Sequence, residues 1–174
     1  MILAQKRIPL ATPTMHEEEM GFIQEAFEKN WIAPLGFNCD NFEKEMAEYI
    51  TSLKMCAFVC DYDHNAPDPE YLRNTHYKMY EKIRAKHPDI PYFMVTKPDF
   101  AYRDEDFERR CVIMESYLKA YRSGDKNVYF IDGSAFFNGV DIGDYTVDCC
   151  HPTDDGFVRM ANYIGDVLAK VMDL

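Results

Sequence analysis

The chain has 174 residues, enough for one compact core and short for two, since a single domain holds about 150 residues. Nineteen Lys and Arg face 30 Asp and Glu, and the formal charge of −11 repels phosphate backbones and anionic headgroups, arguing against nucleic acid or membrane as partners. The start, from Met1 to Arg7, carries too short an apolar run for a secretion signal, and no stretch approaches the ~20 apolar residues that span a bilayer, so a cytoplasmic location is expected.

The first pattern is helical. Met20, Ile23 and Phe27 recur at the three-and-four spacing of a helix with one buried face, predicting a helix over 16–29 that stops at Asn30. Trp31-Ile32-Ala33-Pro34-Leu35-Gly36 reads as a loop by its Pro and Gly. A second helix over 41–54 follows, with Asp40 as its cap and Phe42, Met46, Tyr49, Ile50 and Leu53 on its buried face.

From residue 56 short apolar runs alternate with longer helical stripes. Cys56-Ala57-Phe58-Val59-Cys60 predicts a strand buried on both faces. A helix over 69–86 carries Leu72, Thr75, Met79 and Ile83, and a second buried strand is Tyr92-Phe93-Met94-Val95. A helix over 104–122 has Phe107, Cys111, Met114, Leu118 and Tyr121 as its stripe and stops at Ser123-Gly124. Val128-Tyr129-Phe130-Ile131 is the third strand, and a last helix over 154–172 buries Phe157, Met160, Ala161, Ile164, Leu168 and Val171. Strands alternating with helices call for α/β class: a parallel sheet with right-handed crossovers, here of about three strands, preceded by two N-terminal helices. Three strands are few for that architecture, and one of the two edges would be long and apolar.

The six cysteines read as reduced, mostly buried thiols. On one strand Cys56 and Cys60 would stand about 13 Å apart, too far to share a metal, so no metal site is expected.

Ligands of an open parallel sheet bind beyond the carboxyl ends of its strands, which directs attention to the loops after residues 60, 95 and 131. The first of these reads Asp61-Tyr62-Asp63-His64-Asn65-Ala66-Pro67, and the last runs to Asp148-Cys149-Cys150-His151-Pro152. In an Asp-x-x-His turn the carboxylate returns to the imidazole Nδ1–H, fixing the tautomer and leaving Nε2 free to take a proton. Asp148 and His151 have that spacing, although His151 packed on the last helix with Asp148 solvated is an equally simple reading. Asn65 is a neutral donor suited to an oxyanion, or else a turn residue bonded to its own backbone before Pro67. His64, His76 and His87 read as turn or surface residues. No serine sits on a sharp strand-to-helix turn: Ser52 and Ser116 fall within helices, Ser123 at a helix stop, and Ser134 follows a strand but precedes a long loop on the wrong strand for His151. Cys149 and Cys150 adjoin His151, but neighbours in sequence seldom point at one another.

Residues 46–67, Asn127 through Gly133, and Val147-Asp148-Cys149-Cys150-His151-Pro152-Thr153-Asp154 with Gly156-Phe157 together resemble the SGNH (GDSL-type) hydrolase family over about 125 residues. The resemblance implies a flavodoxin-like three-layer α/β/α fold and hydrolysis of esters, often acyl or acetyl groups on carbohydrates and lipids. It implies catalytic roles for His151 as base, Asp148 as its orienting carboxylate and Asn65 as oxyanion donor. The family's Gly-Asp-Ser block and its first two strands have no counterpart here.

Ile8-Pro9-Leu10, Pro13, Glu18, Ala26-Phe27, Asn30 through Gly36, and Phe42 through Tyr49 resemble the N-terminal arm of the DegT/DnrJ/EryC1/StrS aminotransferases over about 50 residues. That arm ends before any residue that touches pyridoxal phosphate, so no cofactor is expected. The two likenesses meet near residues 46–50, which suggests a fusion: an aminotransferase-like arm over 1–45 and an SGNH-like α/β domain over 46–174 lacking its first two strands. Three functional expectations follow. The first is an ester hydrolase remnant, inactive or weak for want of a serine and acting on small-molecule or carbohydrate esters if active. The others are an aminotransferase-related fragment and a non-enzymatic module that self-associates through its open sheet edge as a homo-oligomer.

Overall fold

A computed structural model describes residues 18–30, 37–98, 103–148 and 150–174. The chain divides into two units, 1–50 and 51–174. The first is helical where described, with α1 at Glu19–Glu28 and α2 at Phe37–Ser52, the latter running just past the boundary. Because α2 begins at Phe37, Asp40 lies inside the helix and not at its start. The expected loop over 31–36 and the aminotransferase-like residues before 18 lie outside the described residues. Neither helix buries the face its spacing predicted: Met20, Ile23 and Phe27 on α1, and Phe42, Met46 and Tyr49 on α2, are exposed, as is Leu53 just beyond α2.

The second unit holds one three-stranded sheet among the described residues. Its strands are β1 (Phe58–Cys60), β2 (Tyr92–Val95) and β3 (Val128–Ile131), all parallel and in the order β1-β2-β3. The crossovers are α3 (Pro69–Lys86) and α4 (Asp104–Arg122). A short helix, α5 (Ile142–Tyr145), interrupts the long loop after β3, and α6 (Asp154–Met172) closes the chain. Local chemistry accounts for these boundaries: Asp68 caps α3 by accepting from the Tyr71 N–H at 2.7 Å with Pro69 in the first turn, and Thr153 caps α6 by accepting from Gly156.

All four residues of β2 are buried, as a central strand covered on both faces requires. Phe93 and Val95 point to one side, where Ile131, Phe136 and Phe137 join them and Met160, Ile164, Leu168 and Val171 of α6 pack over the cluster. On the other side Tyr92 meets Tyr80 of α3 edge-on, ring centroids 5.2 Å apart. Helices thus cover both faces, giving three α/β/α layers.

Four readings are corrected. β1 is shorter than expected and only Cys60 is buried, because it is an edge strand with Val59 turned to solvent. On α4 the buried face is Asp106, Arg109, Val112, Ile113, Ser116 and Ala120, not the Phe107–Met114–Tyr121 stripe, since buried polar groups with partners take part in this face. Phe157 on α6 is exposed. His76, read as a surface residue, is fully buried.

Candidate active site

The loops at the carboxyl ends of the three strands form one cluster. After β1 the chain makes a 3-10 turn at Asp63–Asn65, held from three directions. The Lys97 backbone N–H, just past β2, donates to Asp63 Oδ2 at 2.8 Å. Arg109 of α4 donates through Nη1 to the carbonyls of Asp63 (2.8 Å) and Ala66 (2.9 Å), and its Nε and Nη2 engage Glu105. Lys97 pairs with Asp106. Asp63 is completely buried, and burial pushes its carboxyl above the ordinary carboxylate range although the Lys97 N–H and the Arg109 and Lys97 charges pull the other way. The result is a rigid turn that presents His64 and Asn65 to solvent.

After β3, Gly133 donates its N–H to Thr96 Oγ1 at 2.7 Å, and a Cβ there would overlap the Thr96 carbonyl, so only glycine lets these two strand ends approach. Ser134 donates its hydroxyl to Asp132 Oδ1 at 2.7 Å, which also accepts from the Ser134 N–H; the hydroxyl stabilises its own turn.

The third loop leaves α5 and returns to α6. Thr146 and Pro152 form an antiparallel bridge, Val147 N–H donates to the His151 carbonyl at 2.9 Å, and Thr153 N–H donates to the Tyr145 carbonyl. Inside this narrow loop Asp148 Oδ1 accepts from the backbone N–H of Cys150 (3.0 Å) and of His151 (2.7 Å). Its Oδ2 lies 2.7 Å from His151 Nδ1. The hydrogen bonds from the His151 backbone and ring, with that from Cys150, hold the Asp148 carboxyl down at about 2. His151 Nε2 has no hydrogen-bond partner among the described residues, and the ring is exposed.

The first and third loops meet: Cys150 Sγ lies 3.0 Å from His64 Nε2. The structure therefore brings Asp148 and His151 into contact and carries their loop to the turn that bears Asn65. The Asn65 side-chain amide makes no hydrogen bond among the described residues, so the turn rests on Asp63 and Arg109 and the alternative of Asn65 as its own turn lock does not apply. Burial and the neighbouring positive groups, Lys97 and Arg109 first and then His151, lower His64 below its ordinary value, while Asp106 opposes them. Beside the turn lies a cavity of about 370 Å³ lined by Asn65, Lys97, Arg103, Glu105 and Arg109 among others. Arg109 and the Cys150–His64 contact escaped the sequence reading because their partners lie 46 and 86 residues away. Among the described residues no group of three or more His, Cys, Asp or Glu side chains is arranged to hold a metal ion, and no helix is long and apolar enough to cross a membrane.

Similarity to known proteins agrees with this fold. A GDSL-like lipase from Bacteroides ovatus superposes with a TM-score of 0.63 at 26% identity, over 75% of this chain and 40% of that one. The salicylyl-acyltransferase SsfX3 of a tetracycline biosynthetic pathway superposes at 0.60 with 15% identity, over 74% of this chain and 41% of that one. A family two carbohydrate esterase from Clostridium thermocellum, in complex with cellohexaose, superposes at 0.51 with 20% identity, over 61% and 31%. These last two share the fold, and the chain spans less than half of each structure. Toward the N-terminus, 45 residues are 47% identical to EpsN of Bacillus subtilis, described as a pyridoxal phosphate-dependent aminotransferase; the match takes 26% of this chain and 12% of that protein. The profile of the GDSL-like Lipase/Acylhydrolase family matches residues 18–169, beginning well before the expected start near residue 46. With most of its length matched, this chain belongs to the GDSL-like lipase/acylhydrolase family.

Proposed function

We propose that the chain carries the base and oxyanion side of an ester-hydrolysing site, and that none of its four serines serves as its nucleophile. One observation carries this reading: Asp148 Oδ2 at 2.7 Å from His151 Nδ1, at the carboxyl end of a parallel sheet with Nε2 open. In this role Asp148 holds the Nδ1–H tautomer, His151 Nε2 takes a proton from an attacking oxygen or water, and Asn65 donates to the developing oxyanion. Ser134 is committed to Asp132, Ser123 donates to the Ala120 carbonyl at the end of α4, and Ser116 is buried on that helix. Small acyl or acetyl esters, including those on carbohydrates, fit the open, exposed site; the fold shared with a carbohydrate esterase is the support for that class.

Slow hydrolysis of p-nitrophenyl acetate is expected, and His151→Ala should lower it about 100-fold or more, the usual minimum for loss of a general base. A fluorophosphonate probe should leave that rate unchanged. A stoichiometric fluorophosphonate adduct on any serine, Ser134 first, would overturn the reading in favour of a working serine esterase.

We also infer that residues 1–45 form an aminotransferase-like arm joined to an α/β domain over 46–174, and that the arm serves association with a second copy, not cofactor binding. The identity to EpsN and the apolar faces exposed on α1 and α2 support this.

A further inference from the structure

We propose that Cys150, paired with His64, is a thiol nucleophile that accepts an acyl group at this site. The proposal rests on the reading of His151 as base for its second step only.

Two Cys–His pairs occur among the described residues, and their surroundings differ. Cys60 Sγ and His76 Nε2 are 3.6 Å apart at the buried face of α3, both buried; burial pushes the thiol up to about 12 and the imidazole down to about 4, so both stay neutral and shielded from any substrate. Cys150 and His64 are 3.0 Å apart where two loops meet at the strand ends, with His64 exposed and Cys150 partly so. Reactive cysteines occupy partly exposed, electropositive surroundings with a base in contact. Here Lys97 and Arg109 bring positive charge to the His64 side of the contact. The contact is built, not incidental. The Asp63–Arg109–Lys97 network fixes the turn that bears His64, and Asp148 accepts from the Cys150 N–H at 3.0 Å, fixing the thiol's own backbone.

The chemistry balances with an ester and water alone. The Cys150 S–H proton passes to His64 Nε2 as sulfur bonds to the ester carbonyl carbon; the C–O bond breaks, and the departing alkoxide takes the proton from His64. A thioester remains. Water then attacks it, giving a proton to His151 Nε2; the C–S bond breaks, the departing Cys150 thiolate takes that proton from His151, and the carboxylic acid is released. Asn65, the residue after His64, is the neutral donor at hand for the oxyanion of both steps.

Rapid mixing with p-nitrophenyl acetate should release a burst of about one equivalent of nitrophenolate per chain before slow turnover, the signature of an acyl-enzyme. Mass spectrometry should find the acetyl group on Cys150. Cys150→Ala should abolish the burst, Cys149→Ser should retain it, and His64→Gln should slow it about 100-fold at unchanged amplitude, as loss of a positioned base does. Circular dichroism of each variant establishes that it is folded. The burst rate should stay level down to a pH below the ordinary histidine range, because partial burial of His64 and then the Lys97, Arg109 and His151 groups facing it, against Asp106, favour its neutral form. His151→Ala should leave the burst intact and slow only turnover. No burst, or a burst that survives in folded Cys150→Ala, overturns the proposal while leaving the His151 reading standing. A normal burst whose turnover ignores His151 would overturn that reading and keep Cys150.

Discussion

At the scale of single residues, two histidines with similar neighbours have opposite prospects because burial differs. His64 is exposed on its turn with a thiol in contact; His76 lies on the buried face of α3, its Nδ1 without a partner. Burial lowers His76 from 6.5 to about 4, so the unfolded chain binds a proton that the folded chain refuses. The contribution of neutral His76 is therefore complete above the unfolded value and declines as pH falls through the window between 6.5 and about 4. Across that window the loss amounts to roughly 3 kcal/mol. Urea unfolding of wild type and His76→Gln at several pH values should show the difference in stability shrinking toward acid; a difference independent of pH would refute it. No sequence pattern distinguished these two histidines, since burial is a property of what packs around them.

At the scale of elements, two arginines clamp opposite ends of the sheet. Arg84 of α3 donates to the carbonyls of His87, Pro88, Ile90 and Asn127 and pairs with Asp125 at 2.9 Å, tying the segments that lead into β2 and β3. Arg109 of α4 does the same for the turn after β1. The planar, multi-donor guanidinium suits both tasks, and lysine cannot replace it. Arg109→Met should cost roughly 3 kcal/mol in urea unfolding, because two buried carbonyls lose their donor and the buried Asp63 carboxyl loses its positive neighbour. A cost under about 1 kcal/mol would show that the turn holds itself. Helix α4 also explains a misread face: the apolar stripe of Phe107, Met114 and Tyr121 is visible in sequence, yet the helix turns Asp106, Arg109 and Ser116 inward. Periodicity ranks residues by hydropathy, and buried polar residues with partners escape that ranking.

For the whole molecule, the unit over 51–174 has a core of its own, while the helices of the first unit expose Met20, Phe22, Ile23 and Phe27 on α1 and Phe42 and Tyr49 on α2. Phe27 is 67% exposed and Phe42 62%, a large apolar surface for so short a segment. Light scattering of the full chain at micromolar concentration should give a dimer or larger species; a clean monomer would remove the association role proposed for the arm. By itself the sequence determined the strands β2 and β3, the extents of α3, α4 and α6 and the parallel α/β class, because each rests on periodicity, and it offered the Asp148–His151 spacing without deciding between a contact and a solvated Asp148. Tertiary structure alone decided that β1 is an edge, that Arg109 holds the His64 turn, and that Cys150 meets a histidine 86 residues away. Contacts of that span depend on how the layers stack, and no local pattern encodes them.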